Sequence, residues 1–275
     1  MSSSHISRAL PSSLLLAAAL LAGTASANER HFGYTYESGV LAPGAKELEV
    51  YNTLRAGRED YYSALDHRLS FEVGVANNLM TAFYFNMNNT TEGDPAGNLS
   101  TAFEWQGFSN EWKLKLQDPV ADPVGLALYT ELTFNTSGME LEPKLILDKR
   151  MGPWLLAANL IGEFEYEAKA DEMELEEIAP DVTFGVSREL AKGFHAGLEI
   201  RNHNAIVRNP DSEDLEHAFS AVYFGPVVSY ATESWWMTFT VLPQLPALSK
   251  ESGGSILVLD DGEKINARLL FSFHI

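Results

Sequence analysis

From residue 46 onward, apolar and polar side chains alternate with a period of two, in short runs broken by turn residues. The last run is the clearest: Ile265, Ala267, Leu269, Phe271, Phe273 and Ile275 share one face, and Asn266, Arg268, Ser272 and His274 share the other. Such alternation predicts strands, because successive side chains of a strand point to opposite sides. Twelve segments of this kind are predicted, near 46–57, 61–75, 79–87, 106–117, 124–134, 139–149, 153–167, 173–187, 194–206, 215–231, 234–243 and 263–275. The links between them alternate in length. Those at 76–78, 118–123, 150–152, 189–193 and 231–233 are short, and those at 57–61, 88–105, 135–138, 168–172, 207–214 and 244–262 are longer or more polar. An even number of antiparallel strands with short turns at one end and long loops at the other is the pattern of a membrane barrel.

The start of the chain supports a membrane destination. Residues 1–27 carry Arg8, an apolar run from Leu14 to Leu21 and the small-residue exit Ala25-Ser26-Ala27, which predicts a signal peptide cut before Asn28. No later stretch approaches the ~20 apolar residues of a transmembrane helix. A chain that spans a membrane without helices must close its sheet, since hydrocarbon offers an open edge no hydrogen-bond partner. The expected fold is therefore all-β: a single transmembrane antiparallel β-barrel of about 12 strands over residues 46–275. Residues 28–45, with a turn at Leu41-Ala42-Pro43-Gly44, are expected to be a periplasmic lead-in or an extra hairpin, which leaves 14 strands open. A soluble sandwich also alternates, but it explains neither the export signal nor the alternating links. The expected location is the outer membrane of a Gram-negative bacterium, reached through the periplasm. There Leu269, Phe271, Phe273 and Ile275 resemble the terminal signal that such barrels present to the outer-membrane assembly machinery.

The faces then divide. Leu65, Leu69, Phe71 and Val73, and likewise Val124, Leu126, Leu128, Leu132 and Phe134, are expected to face lipid. Trp112, Trp154, Tyr230, Trp235 and Trp236 lie near turns, as in an aromatic girdle at the headgroups. The opposite parity brings Asp66, Arg68, Glu72, Glu131, Glu142, Lys144, Glu163, Glu165, Glu199, Arg201, His203 and Arg268 to the lumen. The whole chain carries a net charge of −19, and loss of Arg8 with the signal makes it −20, which excludes a nucleic-acid partner. An acid-rich lumen favours cations or neutral solutes over anions. Outer-membrane lipids and lipopolysaccharide are the other expected partners, and a monomer is expected.

Candidate chemistry is sparse. Cysteine is absent, so disulfides and thiolate chemistry are excluded. Glu163, Glu165 and Glu167 share a face and Glu172, Glu174, Glu176 and Glu177 follow, which reads as a solvated acidic rim rather than a metal site. His195, Glu199, Arg201 and His203 share one face, but same-face steps of ~7 Å along one strand are too long for one ion, so they read as a lumen hydrogen-bond ladder. No G-x-S-x-G occurs, and no catalytic residue, metal or cofactor is assigned. The 244–262 link, with Gly253-Gly254 and Ile256-Leu257-Val258-Leu259, is long enough either to fold inward as a constriction or to pair as a surface hairpin.

Asp122-Pro123-Val124-Gly125-Leu126-Ala127-Leu128-Tyr129, Glu140-Leu141-Glu142-Pro143-Lys144-Leu145, Glu199-Ile200-Arg201-Asn202-His203, Phe224-Gly225-Pro226 and Trp235-Trp236 with Val241-Leu242-Pro243-Gln244 carry a resemblance. With these motifs the chain resembles uncharacterised proteobacterial outer-membrane β-barrels, and is more distantly similar to the phenol meta-pathway outer-membrane barrels. The resemblance implies a small barrel concerned with small-molecule passage and brings no catalytic or binding residues. The functional expectation is a narrow channel or transporter for small neutral or cationic solutes, including aromatic or hydrophobic ones. The alternative is a non-conducting structural or sensory barrel, and an enzyme is not expected.

Overall fold

In the computed structural model, residues 28–94, 96–170, 172–212, 214–250 and 255–275 are described, so the predicted signal peptide at 1–27 lies outside the described residues. Twelve strands follow one another: β1 (Lys46–Ala56), β2 (Tyr62–Ala76), β3 (Leu79–Gly93), β4 (Leu99–Gln117), β5 (Gly125–Phe134), β6 (Gly138–Met151), β7 (Trp154–Ala168), β8 (Met173–Ala191), β9 (Phe194–Arg208), β10 (Leu215–Ala231), β11 (Trp235–Lys250) and β12 (Ile265–His274). Each pairs antiparallel with its sequence neighbour, and β1 pairs with β12 from Glu47↔His274 to Ala56↔Ile265, which closes the barrel. Closure removes the last unpaired edge, so every strand has two partners.

The outer wall is apolar because the alternation holds. Leu48, Leu54, Leu69, Phe83, Phe85 and Leu128 are exposed on it, whereas Glu47, Glu49, Ser70, Glu72 and Tyr129 of the same strands or their neighbours are buried inside. Exposed Trp112, Trp154 and Tyr230, with half-buried Trp235, form a belt toward the short-turn end. Trp236 departs from the expected girdle. Its parity turns it into the barrel, where its indole Nε1–H donates to Glu47 Oε2 at 3.3 Å.

Several strands run further than the alternation suggests. β3 continues through Asn88-Asn89-Thr90-Thr91, β4 starts at Leu99 rather than near 106, and β11 extends to Lys250 through the first part of the expected 244–262 loop. Past the apolar band the outer side chains no longer need to be hydrophobic, so the period-two signal fades while the backbone ladder continues. Threonine suits that ladder in either medium. Residues 255–264 of the last link fold partly inward: Val258 is buried against Phe219, Tyr223 and Leu242, and the Gln244 amide clamps the Val258 backbone from both sides.

Residues 28–45 add no strand. The expected lead-in or hairpin is replaced by an irregular segment folded inside the barrel, where Asn28 to Leu41 are all buried except half-buried Glu29 and Gly39. The reason is its aromatic content: Phe32, Tyr34 and Tyr36 would be wasted in water and instead fill the lumen. The segment returns to the short-turn rim, where Gly44 N–H donates to Gly74 O and Gly74 N–H to Ala45 O before β1 begins.

A bulge in β4 adjusts parity on the loop side of the barrel. Asn86 pairs with Gly107 and Met87 with Trp105, so Gln106 is the extra residue. Gly107 holds φ at +98°, and a Cβ there would lie 2.0 Å from the Phe134 carbonyl oxygen. Gly107→Ala should therefore destabilise the barrel by at least about 1–2 kcal/mol from the backbone conformation alone. The check is the temperature at which the folded, fast-migrating form is lost on SDS gels, which should fall.

Candidate functional site

The buried segment is held by wall side chains that act as substitute backbone. Glu199 on β9 accepts three consecutive N–H groups, from Gly33 at 3.0 Å, Tyr34 at 2.7 Å and Thr35 at 2.6 Å. Asn159 on β7 pairs with Tyr36 as a strand would, accepting its N–H at 2.6 Å and donating to its carbonyl at 3.0 Å. Arg268 on β12 donates to Gly33 O at 3.2 Å, Thr238 on β11 donates to Arg30 O, and Ser38 donates to Asp148 on β6 at 2.6 Å. The aromatic rings meet cations or smooth wall. The Tyr34 ring lies 3.9 Å from the Arg268 guanidinium, and Tyr36 sits between Arg30 at 3.9 Å and the Lys144 ammonium at 4.0 Å. Phe32 packs on Leu155, Ala157 and Val227, flat against Gly185, where a Cβ would come within 2.5 Å of the ring.

Electrostatics inside the segment follow the same economy. Glu37 accepts the His31 backbone N–H at 2.8 Å and faces its ring and Arg150. Burial raises the Glu37 carboxyl, but His31 and Arg150 outweigh burial and hold it below the ordinary carboxylate range. The His31 and His195 rings meet edge to face at 4.2 Å.

The segment divides the interior into two chambers. On the loop side a cavity of about 450 Å³ is lined by Asp66, Arg68, Glu131, Glu140, Glu163 and Glu165 among others. A smaller space of about 190 Å³ beneath it reaches Tyr34 and Tyr36, which form its floor with Arg201 and Arg268. On the short-turn side a cavity of about 250 Å³ is lined by Asn28, Glu29, Glu37, Asp148 and Arg150, and it shares no lining residue with the other two.

All twelve lumen candidates point inward, but to different ends. Glu72 and Glu199 hold the segment, and Arg268 holds it while also donating to Thr53 at 2.8 Å. Arg68 pairs with Glu131, Asp66 with Arg55 at 2.8 Å and Lys144 with Glu142 at 2.7 Å. Arg201 and His203 both bind Asp181, at 2.7 and 3.0 Å. His195, Glu199 and the Arg201–His203 pair thus serve separate partners rather than one ion. Glu163 and Glu165 remain outside any ion pair among the described residues. With Glu140 they form a group whose carboxylate oxygens lie within 4.8 Å of one another. A second such group, Glu47, Glu49 and Glu72, is buried near the short-turn end. Asn159, Thr238, Arg30, Tyr34 and Tyr36 were not among the expected site residues. The spacing Phe32-x-Tyr34-x-Tyr36 beside a lone Arg30 is the signal that could have found the segment, but three alternating aromatics also fit a short strand.

Residues 24–275 match a single family over nearly the whole chain. The chain belongs to DUF6662, a family of unknown function. No curated protein matches it in sequence. In fold this member is similar to the COG4313 outer membrane channel from Pseudomonas putida F1, with a TM-score of 0.62 at 11% identity over 86% of this chain and 98% of that one. It is also similar to the NanC porin, with a TM-score of 0.52 at 12% identity over 83% of this chain and 100% of that one. The architecture is that of outer-membrane porins and channels.

Glu199→Ala leaves three adjacent N–H groups without their acceptor. At about 1–3 kcal/mol for a buried donor left unpaired, less where water reaches it, the seated segment should lose several kcal/mol. Folded wild-type barrel should resist protease within residues 28–45, and the variant should be cut there while remaining heat-modifiable.

Proposed function

We propose that this DUF6662 member is an outer-membrane channel for small neutral or cationic solutes, closed in its resting form by residues 28–45. The observation that carries this reading is the construction of the closure. Polar chambers lie above and below a segment whose backbone is held by side-chain hydrogen bonds, each of which can be exchanged for water. A barrel whose task was purely structural has no need of a polar chamber of about 450 Å³ on one side of such a stopper.

Selectivity follows from where charge is left over. Arg55, Arg68, Lys144 and Arg201 are each matched by a carboxylate, whereas Glu140, Glu163 and Glu165 lack a cationic partner among the described residues. An acidic surplus in a confined, poorly screened space attracts cations and repels anions. The reading includes no catalytic step, places the barrel in a Gram-negative outer membrane as a monomer, and assigns its outer rim to contact with lipopolysaccharide.

Planar-bilayer recordings test it. Wild-type protein should stay closed or open only briefly. A chain lacking 28–41 should conduct steadily and prefer cations in a salt gradient, a preference that Glu140→Gln with Glu163→Gln reduces. A folded deletion variant that conducts nothing would reject the channel in favour of a non-conducting barrel.

A further inference from the structure

The buried carboxylates of Glu47, Glu49 and Glu72 have no adequate counter-charge in the wall around them. They are 1%, 1% and 2% exposed, and one oxygen of each lies within 4.8 Å of those of the other two. Glu47 is served by Trp236 Nε1–H at 3.3 Å, Ser272 Oγ–H at 3.0 Å and the His274 ring at 3.2 Å. Glu49 accepts the Tyr51 hydroxyl on one oxygen, but its other oxygen, Oε1, is buried with no partner. Ser70, opposite Glu49 across the β1–β2 ladder and on the same inner wall, is likewise buried with its hydroxyl unpartnered. Of the cations nearby, Lys113 spends its ammonium on the Asn28 side-chain carbonyl at 3.2 Å, and Arg30, in the segment itself, reaches Glu49 through the Tyr51 hydroxyl, to which it donates at 3.3 Å. Three carboxylates this close, away from water, call for another cation.

Asn28 occupies the place where that cation would sit. Its backbone nitrogen is 3.3 Å from Glu47 Oε1 and its side-chain amide donates to Glu72 Oε2 at 3.2 Å. Asn28 is also the residue that the sequence makes the first of the exported chain, following Ala25-Ser26-Ala27. Hydrolysis of the Ala27–Asn28 bond by an export peptidase consumes one water and leaves a carboxylate on Ala27 and an ammonium on Asn28.

We propose that Glu47, Glu49 and Glu72 form a receptor for the chain's own new N-terminal ammonium, so that removal of residues 1–27 supplies the cation that seats the plug. In the uncleaved chain the same nitrogen is a neutral amide with one hydrogen to donate. After cleavage it is a charged group with three, so that it has donors to spare for a second carboxylate beside Glu47. Processing thus converts a loosely matched segment into a locked one, and premature plugging before export is disfavoured. The inference rests on cleavage before Asn28 and stands whether or not the barrel conducts.

The test begins with the mature protein purified from outer membranes. Mass spectrometry reads its first residue and the rate at which a water-soluble amine-acylating reagent modifies the α-amine, folded and then SDS-unfolded. A free α-amine titrates near ~7.7–8.0. In the receptor its midpoint should move upward. Acylation at about pH 7 should then slow by roughly tenfold or more, because a midpoint higher by about one leaves roughly a tenth of the neutral, reactive amine. Glu49→Gln should lower that midpoint again. Insertion of Ala-Ser between Ala27 and Asn28 should restore the unfolded acylation rate and expose residues 28–45 to protease while the barrel stays heat-modifiable. The proposal fails if the mature chain starts at any other residue or if the folded amine reacts as fast as the unfolded one. It also fails if a stoichiometric divalent ion is found whose chelation alone releases the segment. Should the insertion variant not fold, the wild-type rates and midpoint still decide.

Discussion

A peptide without secondary structure can be buried only if something other than a helix or strand answers its backbone polar groups, and in this barrel the wall side chains do so. Glu199 takes three successive N–H groups, Asn159 pairs with both backbone groups of Tyr36, and Arg268 and Thr238 reach the carbonyls of Gly33 and Arg30. The cost of an unanswered buried donor or acceptor is what makes these four positions indispensable to the arrangement. The aromatic rings of Phe32, Tyr34 and Tyr36 supply the apolar burial, but the polar clamps decide where along the barrel the segment lies.

Charge placement obeys a related division of labour. Where a wall charge faces another wall, it is paired: Asp181 with Arg201 and His203, Glu131 with Arg68, Asp66 with Arg55. Where a wall charge faces the segment, it serves the segment instead, as Glu199 and Asp148 do. The surplus carboxylates fall into two groups at opposite ends, one wet and one dry. The wet group at Glu140, Glu163 and Glu165 can rely on water and mobile ions. The dry group at Glu47, Glu49 and Glu72 has only protein atoms to turn to.

The architecture was legible because lipid imposes a strict rule on every second residue. Alternation located all twelve strands, and closure through β12 was readable from Ile265 to Ile275. It faded where that rule lapses: beyond the apolar band in β3, β4 and β11, and at Trp236, whose chemistry suits a girdle but whose parity does not. Inward parity of residues such as Asp66, Glu131 and Arg201 could be read the same way, yet their partners could not, since pairing depends on which strands face each other across the lumen. The segment 28–45 was opaque for a deeper reason. Its conformation is set by Glu199, Asn159 and Arg268, which lie more than a hundred residues away in sequence, and a local pattern carries no record of such partners.

The segment also stays attached to the barrel. It is continuous with β1 through the Ala42–Gly44 turn, which is pinned to Gly74 at the rim. The residues from Asn28 to the turn can extend by at most ~3.3–3.6 Å each, so a released segment remains on a leash of roughly 50 Å beneath its own seat. Its return is then an intramolecular encounter, with an effective concentration on the order of millimolar. The lumen therefore keeps an occupant of its own that cannot be diluted or washed away, and anything else seated there must displace it.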